Sequence, residues 1–266
     1  MVPLSQTFDR LSRTGEKALV LFVTAGDPDL AQLPAILDCL AEAGADVIEV
    51  GIPFSDPIAD GPTIQASSQR ALDRGVTPHE VLEVLAGLSK GIPIVAMGYI
   101  NNALSRGLGV YAGELRGAGV GGTIMCDLTV DEAGDWIAAS RKHELDNIFL
   151  VAPTSTEERV RRAAEASTGF VYAVSRTGVT GVGQGTPAKF DESGELVRQV
   201  RSATTTPVCV GFGISSPEDV REVCTFADGA IVGSWLVHEL AENWNEGRGA
   251  KELAAKVRLL KSATRG

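Results

Sequence analysis

Glu49 is the residue best suited to acid–base chemistry, because it lies within the apolar segment 47–51. Side chains of an extended segment alternate between two faces, so Glu49 lies opposite Ile48 and Val50. If those two pack beneath helices, the carboxyl group faces an enclosed interior. Burial raises the pKa of a carboxyl group, which lets it donate and accept protons near neutral pH. The alternative is a structural ion pair.

Other carboxylates also follow apolar segments. Asp60 lies in the loop 52–61, directly before Gly61-Pro62. It could act on a substrate, or it could satisfy the N-terminus of a following helix. Asp27 and Asp127 occupy similar places, and for both a turn or capping role is as compatible with the sequence as catalysis.

Glycines cluster after three later apolar segments, in the stretches 175–185 and 211–213 and at Gly233. Bare glycine N–H groups can approach an anion, and Ser234 opens a predicted helix whose N-terminus favours negative charge. The pattern therefore predicts a phosphate site. The alternative is that these glycines only form tight turns.

Other reaction classes lack the residues they need. No lysine ends an apolar segment, so a Schiff-base mechanism has no obvious amine. The three histidines fall on predicted helices, and the four cysteines are too far apart for a zinc site or a disulfide framework. We therefore expect no metal and favour carboxylate acid–base catalysis.

Eight short apolar segments alternate with amphipathic helical segments. The predicted strands are 18–24, 47–51, 94–97, 122–125, 148–151, 170–174, 207–210 and 230–232. Helix-start patterns of the capping-box type occur at 77–80, 129–132, 155–158 and 216–219. This order predicts an α/β fold, a (β/α)₈ TIM barrel, with an extra N-terminal helix over 5–13. An open doubly wound sheet is the alternative.

Length and charge narrow the class further. The 266 residues match the ~250 typical of one such barrel, so we expect a single domain over 1–266. A net charge of −10 argues against nucleic acid or an anionic membrane as partner. The chain shows neither a signal pattern nor an apolar stretch of the ~20 residues that span a bilayer, which predicts a soluble, cytoplasmic protein.

Four motifs resemble the tryptophan synthase alpha-subunit family: residues 22–28, 47–61, 175–181 and 211–215. The likeness runs from about Phe22 to Ser234. It implies a TIM barrel that cleaves indole-3-glycerol phosphate to indole and glyceraldehyde 3-phosphate by a retro-aldol reaction.

The resemblance also implies roles for single residues. Glu49 matches the principal acid–base residue, and Asp60 matches the residue that hydrogen-bonds the indole N–H. The positions that match the family's substrate pocket and phosphate site are Phe22, Met97, Tyr99, Ile124, Tyr172, Thr180, Gly181, Phe212, Gly213, Ile231, Gly233 and Ser234.

A partner follows from the same likeness. The family's beta subunit carries pyridoxal phosphate, receives indole through an internal channel and forms an α₂β₂ tetramer, so this chain itself needs no cofactor. Asp56 and Pro57 resemble interface positions. Asn102 replaces a usual proline, and Thr129-Val130 replaces a common proline pair, which puts details of the pocket and interface in doubt.

Two other functions stay open at this point. One is another phosphate-binding barrel, such as an isomerase or synthase of the same pathway, and the loop with Glu49 and Asp60 argues against it. The other is a catalytically silent subunit that only regulates its partner, and retention of both carboxylates argues against that.

Overall fold

The computed structural model describes residues 2–88, 91–175 and 190–265, which form one parallel β-sheet surrounded by helices. The strands are β1 (Ala18–Thr24), β2 (Val47–Gly51), β3 (Ile94–Gly98), β4 (Gly122–Met125), β5 (Asp146–Asn147), β6 (Leu150–Val151), β7 (Val171–Val174), β8 (Val208–Gly211) and β9 (Gly229–Val232). Nearly every strand residue is buried, as expected when helices cover a parallel sheet.

The helices follow the strands in the predicted alternation. They are α1 (Leu4–Thr14), α2 (Leu33–Glu42), α3 (Pro62–Asp73), α4 (Pro78–Ala86), α5 (Ile100–Arg106), α6 (Leu108–Gly117), α7 (Gly134–Lys142), α8 (Glu157–Ala166), α9 (Asp191–Ala203), α10 (Pro217–Cys224), α11 (Ser234–Asn243) and α12 (Ala250–Ser262). Short 3₁₀ turns lie at Leu30–Gln32 and Asn245–Gly247.

The sheet closes into a barrel through the segment 146–151. The strand order is β5-β4-β3-β2-β1-β9-β8-β7-β6, so β5 and β6 lie at its two ends. On one side the Ile148 N–H donates to the Thr123 carbonyl (2.9 Å), and on the other the Tyr172 N–H donates to the Phe149 carbonyl (3.1 Å). The two short strands are therefore halves of the fifth barrel strand. The predicted (β/α)₈ barrel is confirmed, and the open sheet is wrong.

Two of the four predicted capping boxes form, and two do not. Capping boxes form at Thr77 and at Ser216, as predicted. The box predicted at 129–132 is wrong, because the Glu132 N–H donates to the Thr129 carbonyl in a turn and α7 begins only at Gly134. The box predicted at 155–158 is also wrong, because the cap of α8 is Thr156 and not Ser155.

The predicted N-terminal helix forms, and it plugs the bottom of the barrel. Leu4, Phe8 and Leu11 of α1 are buried against the barrel interior. The ring of Phe8 lies 5.9 Å from the ring of Phe170, which directly precedes β7. The lower barrel is thus filled by apolar side chains, which leaves the upper end for a site.

Asp46 joins the ends of the chain beneath the barrel. Its side chain is 4% exposed and accepts hydrogen bonds from Arg10 of α1 (2.8 Å), from Lys261 of α12 (2.7 Å) and from the Leu19 N–H (3.0 Å). A buried carboxylate with three donors is satisfied, but removing it would leave the Lys261 charge, 12% exposed, without this partner.

Asp46→Ala removes the acceptor of the Leu19 N–H and leaves Lys261 with Glu16 (3.2 Å) as its carboxylate partner, so we expect the free energy of unfolding to fall by about 1–3 kcal/mol, measured by urea denaturation. The control is Asp9→Ala, which removes an exposed carboxylate from α1 and should cost less than ~0.5 kcal/mol. Equal effects of the two variants would contradict this account of Asp46.

Candidate active site

A cavity opens at the carboxyl ends of the strands, where barrels of this kind carry their active sites. The wall is formed by Phe22, Glu49, Ile64, Met97, Tyr172, Phe212, Gly213, Ile214, Ser215, Gly233, Ser234 and Trp235.

Glu49 is the acidic residue of this wall. Strand β2 pairs in register with β1 and β3 and places Glu49 between Phe22 and Val95, with its side chain pointing into the barrel. It is 1% exposed, and its Oε2 atom has no hydrogen-bond partner among the described residues. Burial, and secondarily the negative charge of Asp60, raises its pKa to about 8. No described residue forms a salt bridge with it, so the structural ion pair finds no support.

Asp60 lies outside the cavity wall, in the loop that leads to α3. The N-cap of α3 is Gly61, without any side-chain cap, so the alternative of Asp60 as a capping residue is not supported. Its Oδ1 atom is buried and has no partner among the described residues. Burial raises its pKa to about 6, and the nearby Tyr99 hydroxyl opposes that rise.

The two carboxyl groups therefore differ in charge near pH 7. Glu49, with a pKa of about 8, is mostly protonated, whereas Asp60, with a pKa of about 6, is mostly ionised. Enzymes can place two carboxyl groups in environments that push their pKa values apart. One group then acts as the acid, and the other stabilises charge.

Another part of the cavity wall, after β9, offers backbone N–H groups. Helix α11 begins there, at Ser234, and no side chain caps it. Helix α10 begins close by, but the side chains of Ser216 and Asp219 cap its N-terminus. Because the first N–H groups of a helix have no partner within the helix, α11 supplies free donors and the positive end of a helix dipole.

A strained turn adjoins these donors. Phe212 and Gly213 have φ angles of +78° and +70°, and for a non-glycine residue such as Phe212 this left-handed conformation costs energy. Ser175 holds the turn, because its N–H donates to the Gly211 carbonyl (2.8 Å) and its hydroxyl to the Phe212 carbonyl (2.5 Å). A Cβ on Gly211 would lie 2.7 Å from ring carbons of Tyr172, so this glycine makes room for that ring.

Comparison with known proteins agrees with this geometry. The family model described as tryptophan synthase alpha chain matches residues 8–265. The tryptophan synthase alpha chain of Geobacter sulfurreducens is 45% identical over 99% of both chains, and that of another Geobacter species is 47% identical over 89% of this chain and 88% of that one. A crystal structure of Mycobacterium tuberculosis tryptophan synthase superposes with a TM-score of 0.88 at 40% identity, over 99% of this chain and 98% of that one.

The chain belongs to the tryptophan synthase alpha chain family. It is therefore a lyase of tryptophan biosynthesis. None of the helices in the described residues is long and apolar enough to cross a membrane. The described residues also contain no group of three or more side chains that could hold a metal ion.

Eight of the residues singled out in the sequence lie together on the cavity wall. They are Phe22, Glu49, Met97, Tyr172, Phe212, Gly213, Gly233 and Ser234. Ile124 and Ile231 lie in the buried barrel interior with Tyr172, and Tyr99 lies beside Asp60. Thr180 and Gly181 lie outside the described residues.

Four wall residues were not found from the sequence: Ile64, Ile214, Ser215 and Trp235. Three of them come just after residues that were found from the sequence. Ile214 and Ser215 follow Gly213, and Trp235 follows Ser234. Ile64 lies in the first turn of α3, four residues after Asp60. Reading the first turn of each helix after a functional loop would have found Ile64 and Trp235, and reading two residues past the glycine turn 211–213 would have found Ile214 and Ser215.

The remaining carboxylates have structural partners. Asp27 is 3% exposed at its side chain and accepts two hydrogen bonds from Arg70 (2.9 and 2.6 Å). Asp127 accepts the Ile100 N–H at the start of α5 (2.8 Å). These contacts favour the structural interpretation of both residues over a catalytic one.

The raised pKa of Glu49 predicts how stability depends on pH. The folded protein keeps a proton that the unfolded chain releases, so the free energy of unfolding falls from about pH 4.5 to pH 8. Glu49→Gln removes this dependence. We expect the variant to match the wild type near pH 4.5 and to exceed its free energy of unfolding by about 2–5 kcal/mol at pH 8.5.

Urea denaturation across this pH range measures the difference. Glu132→Gln, which neutralises an exposed carboxylate, is the control and should track the wild type. A difference between Glu49→Gln and wild type that stays constant with pH would show that Glu49 is ionised in the folded protein.

Proposed function

We propose that this chain cleaves indole-3-glycerol phosphate to indole and glyceraldehyde 3-phosphate, with Glu49 as the catalytic acid–base residue and Asp60 as the group that stabilises the indole ring. The observation that carries the proposal is the buried Glu49 carboxyl group on the wall of a cavity whose wall also includes an uncapped helix N-terminus. One part can transfer a proton, and the other can hold a phosphate.

The proposed chemistry follows from the two protonation states. Protonated Glu49 donates its proton to C3 of the indole, which places positive charge on the ring nitrogen. The ionised Asp60 carboxylate accepts a hydrogen bond from the ring N–H and stabilises that charge. As the C–C bond breaks, its electron pair returns to the ring, and the glycerol hydroxyl next to that bond loses its proton to the carboxylate of Glu49. The hydroxyl carbon becomes the aldehyde, and Glu49 is protonated again.

The phosphate binds at the start of α11 in this proposal. The N–H groups of Ser234 and its neighbours, together with the Ser234 hydroxyl, donate to phosphate oxygens, and Gly213 and Gly233 allow close approach. The net charge of −10 does not oppose this, because oriented backbone dipoles act locally. Thr180 and Gly181 retain their proposed places at the substrate.

The indole ring binds against the apolar side of the cavity. Phe22, Ile64, Met97 and Tyr172 provide flat or branched apolar surface beside Glu49. Ile124 and Ile231 support Tyr172 from the barrel interior and shape the pocket floor rather than its wall. This assignment makes the pocket apolar where the ring lies and polar where the phosphate lies.

A beta subunit is the proposed partner, in an α₂β₂ tetramer that receives the indole through a channel. The M. tuberculosis relative supports this, since its structure is that of tryptophan synthase. The loop with Asp56 and Pro57 also carries Ile58, which is 83% exposed and suits burial by another protein. Pyridoxal phosphate belongs to the beta subunit in this proposal, and the chain itself uses no cofactor. The single domain over 1–266 and the cytoplasmic location stay predictions.

Replacing either carboxyl group tests the chemistry. We expect Glu49→Gln and Asp60→Asn each to lower kcat for indole release by about 10²-fold or more, because each removes a group acting in the transition state. Circular dichroism should show a folded barrel. Asp56→Asn, which removes an exposed carboxylate from the same loop, is the control for the isolated chain. Wild-type turnover by the Glu49 variant would reject the assignment.

Ser234 gives a charge test of the phosphate site. Ser234→Asp adds a negative charge at the first position of α11, where it suits the helix dipole but repels a phosphate. We expect glycerol phosphate to bind at least about tenfold more weakly. Ser234→Asn, of the same shape and uncharged, should change the affinity less than about threefold. Calorimetry measures both, and equal affinities of the two variants would contradict the site.

A further inference from the structure

Tyr99 lies beside the loop 52–61 although it is absent from the cavity wall. It follows β3, is 3% exposed, and stacks on Phe54 of the loop with ring centroids 4.7 Å apart and planes inclined by 15°. Its hydroxyl oxygen accepts a hydrogen bond from the Ala59 N–H (3.1 Å). The ring and the hydroxyl therefore hold two separate points of the loop.

The same hydroxyl reaches Asp60. Its oxygen accepts from the Ala59 N–H, directly before Asp60 in the chain, and its proton lowers the pKa of the Asp60 carboxyl group. One hydroxyl thus fixes the loop backbone next to Asp60 and favours the charged form of that side chain. A phenol that donates to a carboxylate favours the ionised carboxylate.

Few other contacts hold this part of the loop. The Ile58 N–H donates to Asp56 and the Asp60 N–H to Pro57, both within the loop. The Gln65 side chain of α3 donates to the Asp60 carbonyl (2.8 Å). Within the described residues, Tyr99 is the one residue outside the loop and α3 that hydrogen-bonds residues 55–60.

We propose that Tyr99 is a positioning residue, whose ring and hydroxyl hold the loop at Phe54 and Ala59 and thereby keep Asp60 in the geometry the reaction needs, and not a residue that contacts the substrate. The proposal deepens the function proposed above and rests on it. It assigns Tyr99 a task other than the pocket contact that the family resemblance implies.

A pH effect follows from the place of the Tyr99 hydroxyl beside Asp60. Burial raises the pKa of Asp60 to about 6, and the Tyr99 hydroxyl opposes the rise, so losing the hydroxyl should raise the pKa further. The other titratable groups that face this corner are Glu49 on β2, Cys126 after β4 and Tyr172 on β7. A change confined to the Tyr99 hydroxyl leaves all three in place.

Tyr99→Phe tests the proposal, since it keeps the ring and its stacking and removes only the hydroxyl. We expect kcat for indole-3-glycerol phosphate cleavage to fall about tenfold at pH 6.5, with KM changed less than twofold. The acid limb of the kcat profile should move up by about one pH unit, so that the loss shrinks toward pH 8. Tyr111→Phe, the same change at a buried tyrosine of α6 away from the cavity, should keep wild-type kinetics.

A double variant separates an effect through Asp60 from any other. In the Asp60→Asn background, Tyr99→Phe should cause little further loss of kcat, because its target is already gone. A rise in KM with an unmoved acid limb would overturn the proposal and make Tyr99 a substrate contact. An unchanged kcat would also overturn it. Failure of the proposed function would be seen separately, as no indole release by the wild type or full activity of Asp60→Asn.

Discussion

A carboxyl group buried without a positive partner is the constraint on which the upper half of this barrel depends. Glu49 is 1% exposed between Phe22 and Val95, and one of its oxygens has no hydrogen-bond partner among the described residues. Such a group is tolerated because it keeps its proton, and the cost of ionising it is what makes it an acid near neutral pH. The fold must supply enough stability elsewhere to maintain it, and the ion-paired base around Asp46 and the apolar plug of α1 contribute to that.

Two parts of the cavity wall act through different interactions. In one part, carboxyl side chains have raised pKa values because they are buried, and the charge of Asp60 raises the pKa of Glu49 further. In the other part, the donors are backbone N–H groups of α11, which are free because no side chain caps that helix. The neighbouring helix α10 is capped by Ser216 and Asp219, which directs an anion to α11. An acidic protein can in this way hold a phosphate at one point.

Features with a local physical cause could be predicted from the sequence. The direction of Glu49 follows from the two-residue period of a strand, and the place of Gly213, Gly233 and Ser234 follows from where strands end in a barrel. The capping box predicted at Thr129 was wrong, because the Glu132 N–H donates to the Thr129 carbonyl in a turn. Local patterns therefore failed where two local structures could use the same residues.

Features that depend on tertiary approach could not be predicted. The split fifth strand, the partners of Asp46 and the contact of Tyr99 with the loop 52–61 each join residues whose proximity only the closed barrel creates. The same holds for Asp27, whose partner Arg70 is 43 residues away in the chain. The sequence could suggest that these residues matter, but not what they touch.

The most direct test of the account is the pKa of the Glu49 carboxyl group itself. Carbon-13 NMR of protein labelled at the glutamate carboxyl carbons would follow every glutamate through a pH titration, and Glu49→Gln would identify the resonance that belongs to residue 49. If burial keeps Glu49 protonated, one resonance that is absent from the variant should titrate near pH 8. A Glu49 resonance that titrates near pH 4.5, like that of a glutamate in water, would contradict the central claim.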